Sequence, residues 1–202
     1  MTDLRVEYEE RHKRALVPVA AALAANISEI VSKLPRVDRV AARPKSVDRF
    51  MGKAEKKNGD KLKYDDPLNQ IQDQIGARII TFYSSDVPII EEAILKEFRA
   101  IESRHVVPQH QWEFGYFGKH HILIMPSELY AEAEDKDLVP EVFELQIKTL
   151  FQHAWSEAEH DLGYKPGEQS LEPDDERMLA FTSAQAWGAD RIFDDLFKKR
   201  SG

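Results

Sequence analysis

The sequence contains no cysteine. That absence excludes disulfides and thiol chemistry, and it fits a cytoplasmic protein. No apolar run stands out as long enough to span a bilayer, so no membrane partner is expected. The N-terminus, Met1-Thr-Asp-Leu-Arg-Val-Glu-Tyr-Glu-Glu10, is charged and has no apolar h-region, so no secretory signal is expected. There is no internal repeat and no low-complexity segment. Positive charge is in deficit: 28 Lys and Arg stand against 36 Asp and Glu, a formal net charge of -8. A general nucleic-acid binder is more often basic. Any polyanion handled by this chain must meet a local cluster of Lys and Arg. What remains is 202 residues, 42% hydrophobic and 32% charged. That suits one globular domain with a real core, or a domain with helical extensions.

The stretch Asp73-Gln-Ile-Gly-Ala-Arg-Ile-Ile-Thr-Phe-Tyr83 organises the chain. It begins with a carboxylate, is expected to turn at Gly76, and runs into apolar, β-branched residues that read as a buried strand. A carboxylate at the head of a central strand suits a hard cation. Mg2+ takes few protein oxygens, often one or two carboxylates, and fills its shell from phosphates and water. Arg78 offers a rigid fork for phosphate. Taken alone, the same residues read more readily as a surface Asp and a strand-end Arg.

Ahead of this stretch, residues from about Val6 to Lys33 read as a packing helix, with Leu16, Val19, Ala20, Leu23, Ile27, Ile30 and Val31 at helical spacing and Pro18 as a kink or boundary. Ser46 is positioned to cap a helix from Val47. Arg43 and Lys45 precede that cap, and Arg49 and Lys53 share one helix face. Cations beside a helix N-terminus make a phosphate cradle; a solvated basic face is the alternative. Asn58-Gly59 marks a turn in a charged tract. Asp86 is expected to cap a helix carrying Ile89, Ile90, Ala93, Ile94 and Phe98, followed by a strand over 100–107. Strand, helix and strand in this order indicate a sheet with helices on it.

Further on, Gln111 to Met125 reads as a glycine-flanked loop and a strand. Gly115-Tyr116 would expose a ring able to stack on a nucleobase, a contact worth roughly 1–3 kcal/mol per base; in isolation a core aromatic and an ordinary histidine pair are the commoner reading. His120 and His121 would point to opposite faces. Residues 128–139 are acidic, a loop or short helix. In Val142-Phe-Glu-Leu-Gln-Ile-Lys-Thr149 the polar Glu144, Gln146 and Lys148 share one face, which is either the solvent side of an edge strand or the floor of a polar site. Leu150 to Asp161 reads as a helix. Its His153, Glu157 and His160 lie on neighbouring turns, a weak metal pattern. A last helix over 171–200 carries Met178, Phe181, Ala184, Trp187, Ile192, Phe193 and Leu196 as core candidates.

Four blocks, in order, resemble the synthetase domain of the RelA/SpoT family. Arg43-Pro-Lys45 with Lys53 resembles R-x-K with its downstream Lys. Asp73-Gln-Ile-Gly76-Ala-Arg78 resembles D-I-x-G-x-R. Gly115-Tyr116 with His120 resembles G-Y-x-x-x-H. Glu144-Leu-Gln146-Ile-Lys-Thr149 resembles E-I-Q-I-R-T and continues into Trp155, Glu159-His160 and Tyr164-Lys165. The chain departs from the family pattern, most of all on the acceptor side: Phe114 stands for a usual Asn, Phe117-Gly118-Lys119 follow the Tyr, Arg49 replaces a Ser, and Lys148 replaces an Arg.

The resemblance implies an α+β fold, a nucleotidyltransferase-like mixed sheet flanked by helices. The whole chain, 1–202, would be one synthetase domain, with a motif core of about 40–166 and helical extensions over 1–35 and 171–200. It implies a GTP/GDP pyrophosphokinase-type transferase that moves the β,γ-pyrophosphoryl group of ATP to the 3′-hydroxyl of GDP or GTP, giving (p)ppGpp and AMP. Asp73 and Glu144 would be the catalytic carboxylates and hold Mg2+. Arg43, Lys45, Lys53 and Arg78 would hold the ATP phosphates. Tyr116, His120, Gln146 and Lys119 would bind the acceptor. With no further domain expected, the chain looks like a small alarmone synthetase or a toxic relative that modifies adenosine nucleotides or tRNA 3′ ends, in some cases paired with an antitoxin. A catalytically weak nucleotide sensor is the non-enzymatic alternative. The terminal helices are candidates for homo-oligomer contacts.

Overall fold

Five strands form one mixed sheet in the computed structural model, which describes residues 3–110, 112–163 and 171–201. In chain order these are β1 (Val37–Pro44), β4 (Ile75–Thr81), β5 (Ala100–Val106), β6 (Gly118–Ile124) and β7 (Val142–Thr149). A small exposed hairpin, β2 (Lys57–Asn58) and β3 (Lys61–Leu62), turns at Gly59, whose φ of +66° suits glycine. The helices are α1 (Leu4–Arg11), α2 (Val17–Val31), α3 (Val47–Ala54), α4 (Pro67–Gln70), α5 (Val87–Glu97), α6 (Leu150–Gly163) and α7 (Pro173–Ser201). Gln111 and the Tyr164-Lys165 pair lie outside the described residues.

The strand order is β1-β4-β7-β6-β5. Only β4 and β7 run parallel; the other neighbours are antiparallel. Alternation sorts each strand onto two faces. On one face Ile75, Ala77, Ile79, Phe143, Leu145 and Ile147 are fully buried, packed beneath α2 and α5. Each buried Ile, Leu or Phe side chain here contributes about 1.5–3 kcal/mol on burial. On the other face, two rows of paired residues cross the sheet: Arg43, Gly76, Glu144, Ile122 and Glu102, then Ala41, Arg78, Gln146, His120 and Arg104. That polar face carries the candidate site.

Several local expectations give way to tertiary structure. Gly76 does not turn the chain; it pairs within β4. Pro18 does not end the first helix. A π-helical segment over His12–Leu16 precedes it, with the Val17 N–H bonded to the His12 carbonyl, so the wider turn absorbs the proline's missing N–H. The whole helix, Leu4–Val31, is by length and composition apolar enough to cross a bilayer, contrary to the sequence expectation. Here its Leu16, Val19, Ala20, Leu23 and Ile27 are core residues. Ser46 and Asp86 stand at helix N-caps without a side-chain capping bond. Asp86 is instead buried and held by the Arg36 guanidinium, with nitrogen–oxygen distances of 2.6–3.0 Å. The apolar residues of α7 expected in the core, Met178, Phe181, Trp187, Ile192, Phe193 and Leu196, are exposed, and its buried residues are Ser183, Asp190 and Asp194.

Candidate active site

The N-terminal helix does more than pack. Tyr8 stacks on Phe50 of α3 at 3.6 Å between ring centroids, and its hydroxyl donates to the Lys45 carbonyl at 2.8 Å. Arg11 donates to the Leu68 carbonyl and to Gln74 Oε1. The Lys45 N–H bonds the Gln74 carbonyl at 2.8 Å. These contacts fix the segments on either side of Asp73. Lys45 Nζ and Lys53 Nζ each come within 2.9 Å of that carboxylate. Lys53 approaches Oδ1 off the hydrogen-bonding direction, so Oδ1 is buried with positive charge beside it and no hydrogen bond. Burial pushes the Asp73 carboxyl up, but the two ammonium groups outweigh it and hold it below the usual carboxylate range.

Glu144, on the neighbouring strand β7 in the same site, is engaged at both oxygens. His120 Nδ1 lies 2.9 Å from Oε1, and Gln146 Nε2 donates to Oε2 at 3.0 Å. A carboxylate only accepts, so Nδ1 carries a hydrogen, and Nε2 on the far side of the ring is hydrogen-bonded to the Tyr116 hydroxyl at 2.5 Å. Burial raises the Glu144 carboxyl and Asp73 adds to that, yet His120 and Gln146 hold it below its ordinary value. Both carboxylates are therefore anionic at neutral pH. Gln146 Oε1 is buried without a partner.

Two cavities open on this face and both are lined by Asp73 and Glu144. One, of about 460 Å³, is ringed by Arg43, Lys45, Arg49 and Arg78, with Ser46, Gln146 and His160 completing it. Gly76 forms its floor, where a Cβ would meet nothing within 4 Å. Crowding is visible in Arg43: burial, then Arg78 and Arg49, weaken its hold on the proton, while Glu157 opposes them. Arg78 is ion-paired with Glu157 of α6. The second cavity, of about 380 Å³, is lined by Lys53, Lys63, Tyr64, Arg104 and His120.

The structure thus brings Arg43, Lys45, Lys53, Asp73, Arg78, His120, Glu144 and Gln146 together. It does not bring in Lys119. That residue pairs with Ile147, on the opposite face of the sheet, and its ammonium reaches Glu91 of α5 at 3.2 Å. One step along the strand reverses the face, and the sequence pattern alone did not locate the step. Tyr116 is half-buried and lines neither cavity. Its ring meets His120 edge-on at 5.5 Å, with Lys148 Nζ 4.7 Å from the ring centroid. Lys148 is buried, donates to Ser156 Oγ at 3.0 Å, and is pushed down by burial to about 8. The ring that does line the second cavity is Tyr64. Lys63, Tyr64 and Arg104 escaped the sequence reading; the Glu102/Arg104 alternation on β5 was the one available signal. Among the described residues no set of three metal-ligating side chains forms, and Glu157 of the helical His153, Glu157, His160 trio is taken by Arg78.

The model of the region found in RelA/SpoT proteins matches residues 42–169. The chain belongs to the RelA/SpoT family. The GTP pyrophosphokinase YjbM of Bacillus subtilis (strain 168) is 31% identical over 134 residues, covering 64% of this chain; the chain spans 57% of that relative's length. The crystal structure of small alarmone synthetase 1 from Bacillus subtilis superposes with a TM-score of 0.74 at 20% identity, over 98% of this chain and 99% of that one. The same synthetase bound to its product pppGpp gives 0.74 at 21%, over 98% of each chain. Those likenesses establish the mixed sheet with its flanking helices as the small alarmone synthetase fold.

Proposed function

We propose that the protein is a pyrophosphokinase that transfers the β,γ-pyrophosphoryl group of ATP to the 3′-hydroxyl of GDP or GTP. The observation that carries this reading is the pair of cavities that share Asp73 and Glu144. One is rimmed by guanidinium and ammonium groups suited to a polyphosphate. The other holds a tyrosine, a histidine, an arginine and two lysines, groups suited to a base, a ribose and phosphates. A group shared by two substrates belongs where their reacting atoms meet.

In this reading ATP lies against Arg43, Lys45, Arg49 and Arg78. The acceptor occupies the second cavity, with Tyr64 beside its base and Lys63 and Arg104 beside its phosphates. Glu144 takes the proton of the acceptor hydroxyl. The freed oxygen attacks the β-phosphorus, the bond from that phosphorus to the α,β-bridging oxygen breaks, and AMP leaves with the electron pair. His120 and Gln146 hold Glu144 in place, and Tyr116 holds His120. The donor set fits Mg2+: Asp73 and Glu144 are anionic oxygens, and Asp73 Oδ1 is buried without a hydrogen bond. Asp73 and Glu144 would hold the ion, which would supply charge neutralisation on the transferred phosphates. Lys45 and Lys53, which pair with Asp73 here, would then turn their ammonium groups to the phosphates. The relative solved with pppGpp supports a guanosine acceptor.

The test is direct. The purified chain is incubated with ATP labelled at the γ-phosphate and Mg2+, with GDP, GTP, ADP, ATP and deacylated tRNA offered separately. Label on GDP or GTP with release of AMP is the expected result. Label on tRNA or an adenosine nucleotide alone would assign the protein to the toxic branch, and no label on any acceptor would leave a binding module.

A further inference from the structure

Lys148 is a buried cation that core packing does not call for. It lies on β7, on the same face as Glu144 and Gln146, and only 3% of it is exposed. Its ammonium donates to Ser156 Oγ at 3.0 Å, and that hydroxyl donates in turn to the His153 carbonyl at 3.0 Å. Among the described residues it forms no ion pair. Burial pushes the amine down to about 8 and Arg78 acts the same way, while Glu157, Glu144 and Glu159 oppose them, so at pH 7 it still carries its charge. A desolvated charge without a counter-ion costs a fold stability. An unbranched apolar chain such as Met would fill the space without that cost.

What the ammonium does meet is a ring. Lys148 Nζ lies 4.7 Å from the Tyr116 centroid, inside the range of a cation–π contact. The Tyr116 hydroxyl is hydrogen-bonded to His120 Nε2 at 2.5 Å, and His120 Nδ1 to Glu144 Oε1 at 2.9 Å. That hydroxyl passes over the buried Gly118, where a Cβ would stand 3.0 Å from the phenol oxygen. Any side chain there would push the hydroxyl back from His120. Tyr116 is thus placed by one contact at its hydroxyl and another at its ring.

We propose that Lys148 is a positioning residue of the transfer reaction: it holds the Tyr116 ring, and through Tyr116 and His120 it aims the Glu144 carboxylate at the acceptor hydroxyl. The proposal rests on the reading of Glu144 as the base. Lys148 itself lines neither cavity, so it touches no substrate and its loss spares binding. A loosened ring lets His120 turn, and Glu144 Oε1 with it. Gln146 still holds Oε2, so the carboxylate is misaimed and not lost from the site. Small misplacements of a reacting group are felt in turnover.

Two variants test this. Lys148→Met keeps an unbranched chain and removes the charge; Lys148→Arg keeps a cation and is the residue of the family pattern. Transfer is followed at pH 7 with ATP, Mg2+ and whichever acceptor the wild type labels. Lys148→Met should lower kcat roughly ten- to thirtyfold, the loss expected when a desolvated cation–π contact is removed. KM for both substrates should hold, and the melting temperature should be no lower than that of the wild type. Lys148→Arg should recover most of the loss. In a Tyr116→Phe background, where the link to His120 is already cut, Lys148→Met should add little. The His120 ring is also read without substrate, by its carbon-bound proton NMR signal, assigned by its disappearance in His120→Gln. Lys148→Met should move that signal in the direction that Tyr116→Phe moves it. A Met variant with wild-type kcat, a fully additive loss in the Tyr116→Phe background, or an unmoved His120 signal would overturn the proposal. Should the wild type transfer to no acceptor, the reading of the reaction fails, and the His120 signal still decides whether Lys148 positions that ring.

Discussion

Replacing Asp190 by Asn should stabilise the protein at neutral pH. Asp190 is buried on the inner side of α7. Its Oδ2 accepts from Thr149 at 2.7 Å, and its Oδ1 has no partner. Burial, with the charge of Asp194 in support, pushes this carboxyl up to about 6. A folded value raised above the ordinary 3.8 means that the contribution of Asp190 is fully present below pH 3.8 and is lost as pH rises through 6. A rise of roughly two pH units costs about 3 kcal/mol at pH 7, falling to about 1 kcal/mol at pH 4.5. Asn keeps the shape and can still accept from Thr149. It leaves one amide N–H group in place of the orphaned Oδ1, which returns about 1–2 kcal/mol of the gain. The net expectation at pH 7 is a stabilisation of about 1–2 kcal/mol, or roughly 2–8 °C in Tm for a chain of this size. Paired thermal melts of wild type and Asp190→Asn at pH 7 and pH 4.5 check it. The advantage of Asn should shrink by about 2 kcal/mol between the two. An Asn variant that melts lower by the same margin at both pH values would refute the argument, because a charge-free explanation has no pH dependence.

The remaining predictions concern the site. Asp73→Asn leaves Lys45 and Lys53 without a counter-ion, so stability should fall by about 1–3 kcal/mol and transfer should cease; near-normal transfer would remove Asp73 from the mechanism. Glu144→Gln should lower turnover by about 10²–10⁴ with little change in ATP affinity measured by calorimetry, and a parallel loss of both would make Glu144 chiefly a cation ligand. Tyr116→Phe removes only the hydroxyl that holds His120, so turnover should fall while acceptor affinity changes little, whereas Tyr64→Ala should weaken acceptor binding and spare ATP; the reverse pattern would return base stacking to Tyr116.

The site was legible wherever chemistry and period coincide. Glu144 and Gln146 alternate with Phe143, Leu145 and Ile147, so one face had to be polar, and the parallel pairing of β7 with β4 carries that face to Arg78 and Gly76. Asp73 was recognisable as the carboxylate ahead of a central strand, and the cations Arg43, Lys45 and Lys53 as a cluster beside a helix start. Lys63, Tyr64 and Arg104 were not legible as partners of His120, because they come from a hairpin edge and a distant strand that only the folded sheet brings to one cavity. The helix from Leu4 to Val31 gave no sign that Tyr8 and Arg11 would hold the segments around Asp73; a buried hydroxyl or guanidinium finds its acceptor in space, not along the chain.

By itself the sequence determined the alternation of the strands, the helix positions and the four motif blocks, since all of these follow from local periodicity and side-chain chemistry. Only the tertiary structure decided facing. Lys119 went to α5 and His120 to Glu144 although they are neighbours, and α7 buried Asp190 and Asp194 while exposing Phe181 and Ile192. A period tells which residues travel together. Which side meets the core depends on which partners lie there, and for α7 those partners, Thr149, Ser85 and the Gly115 carbonyl, are polar.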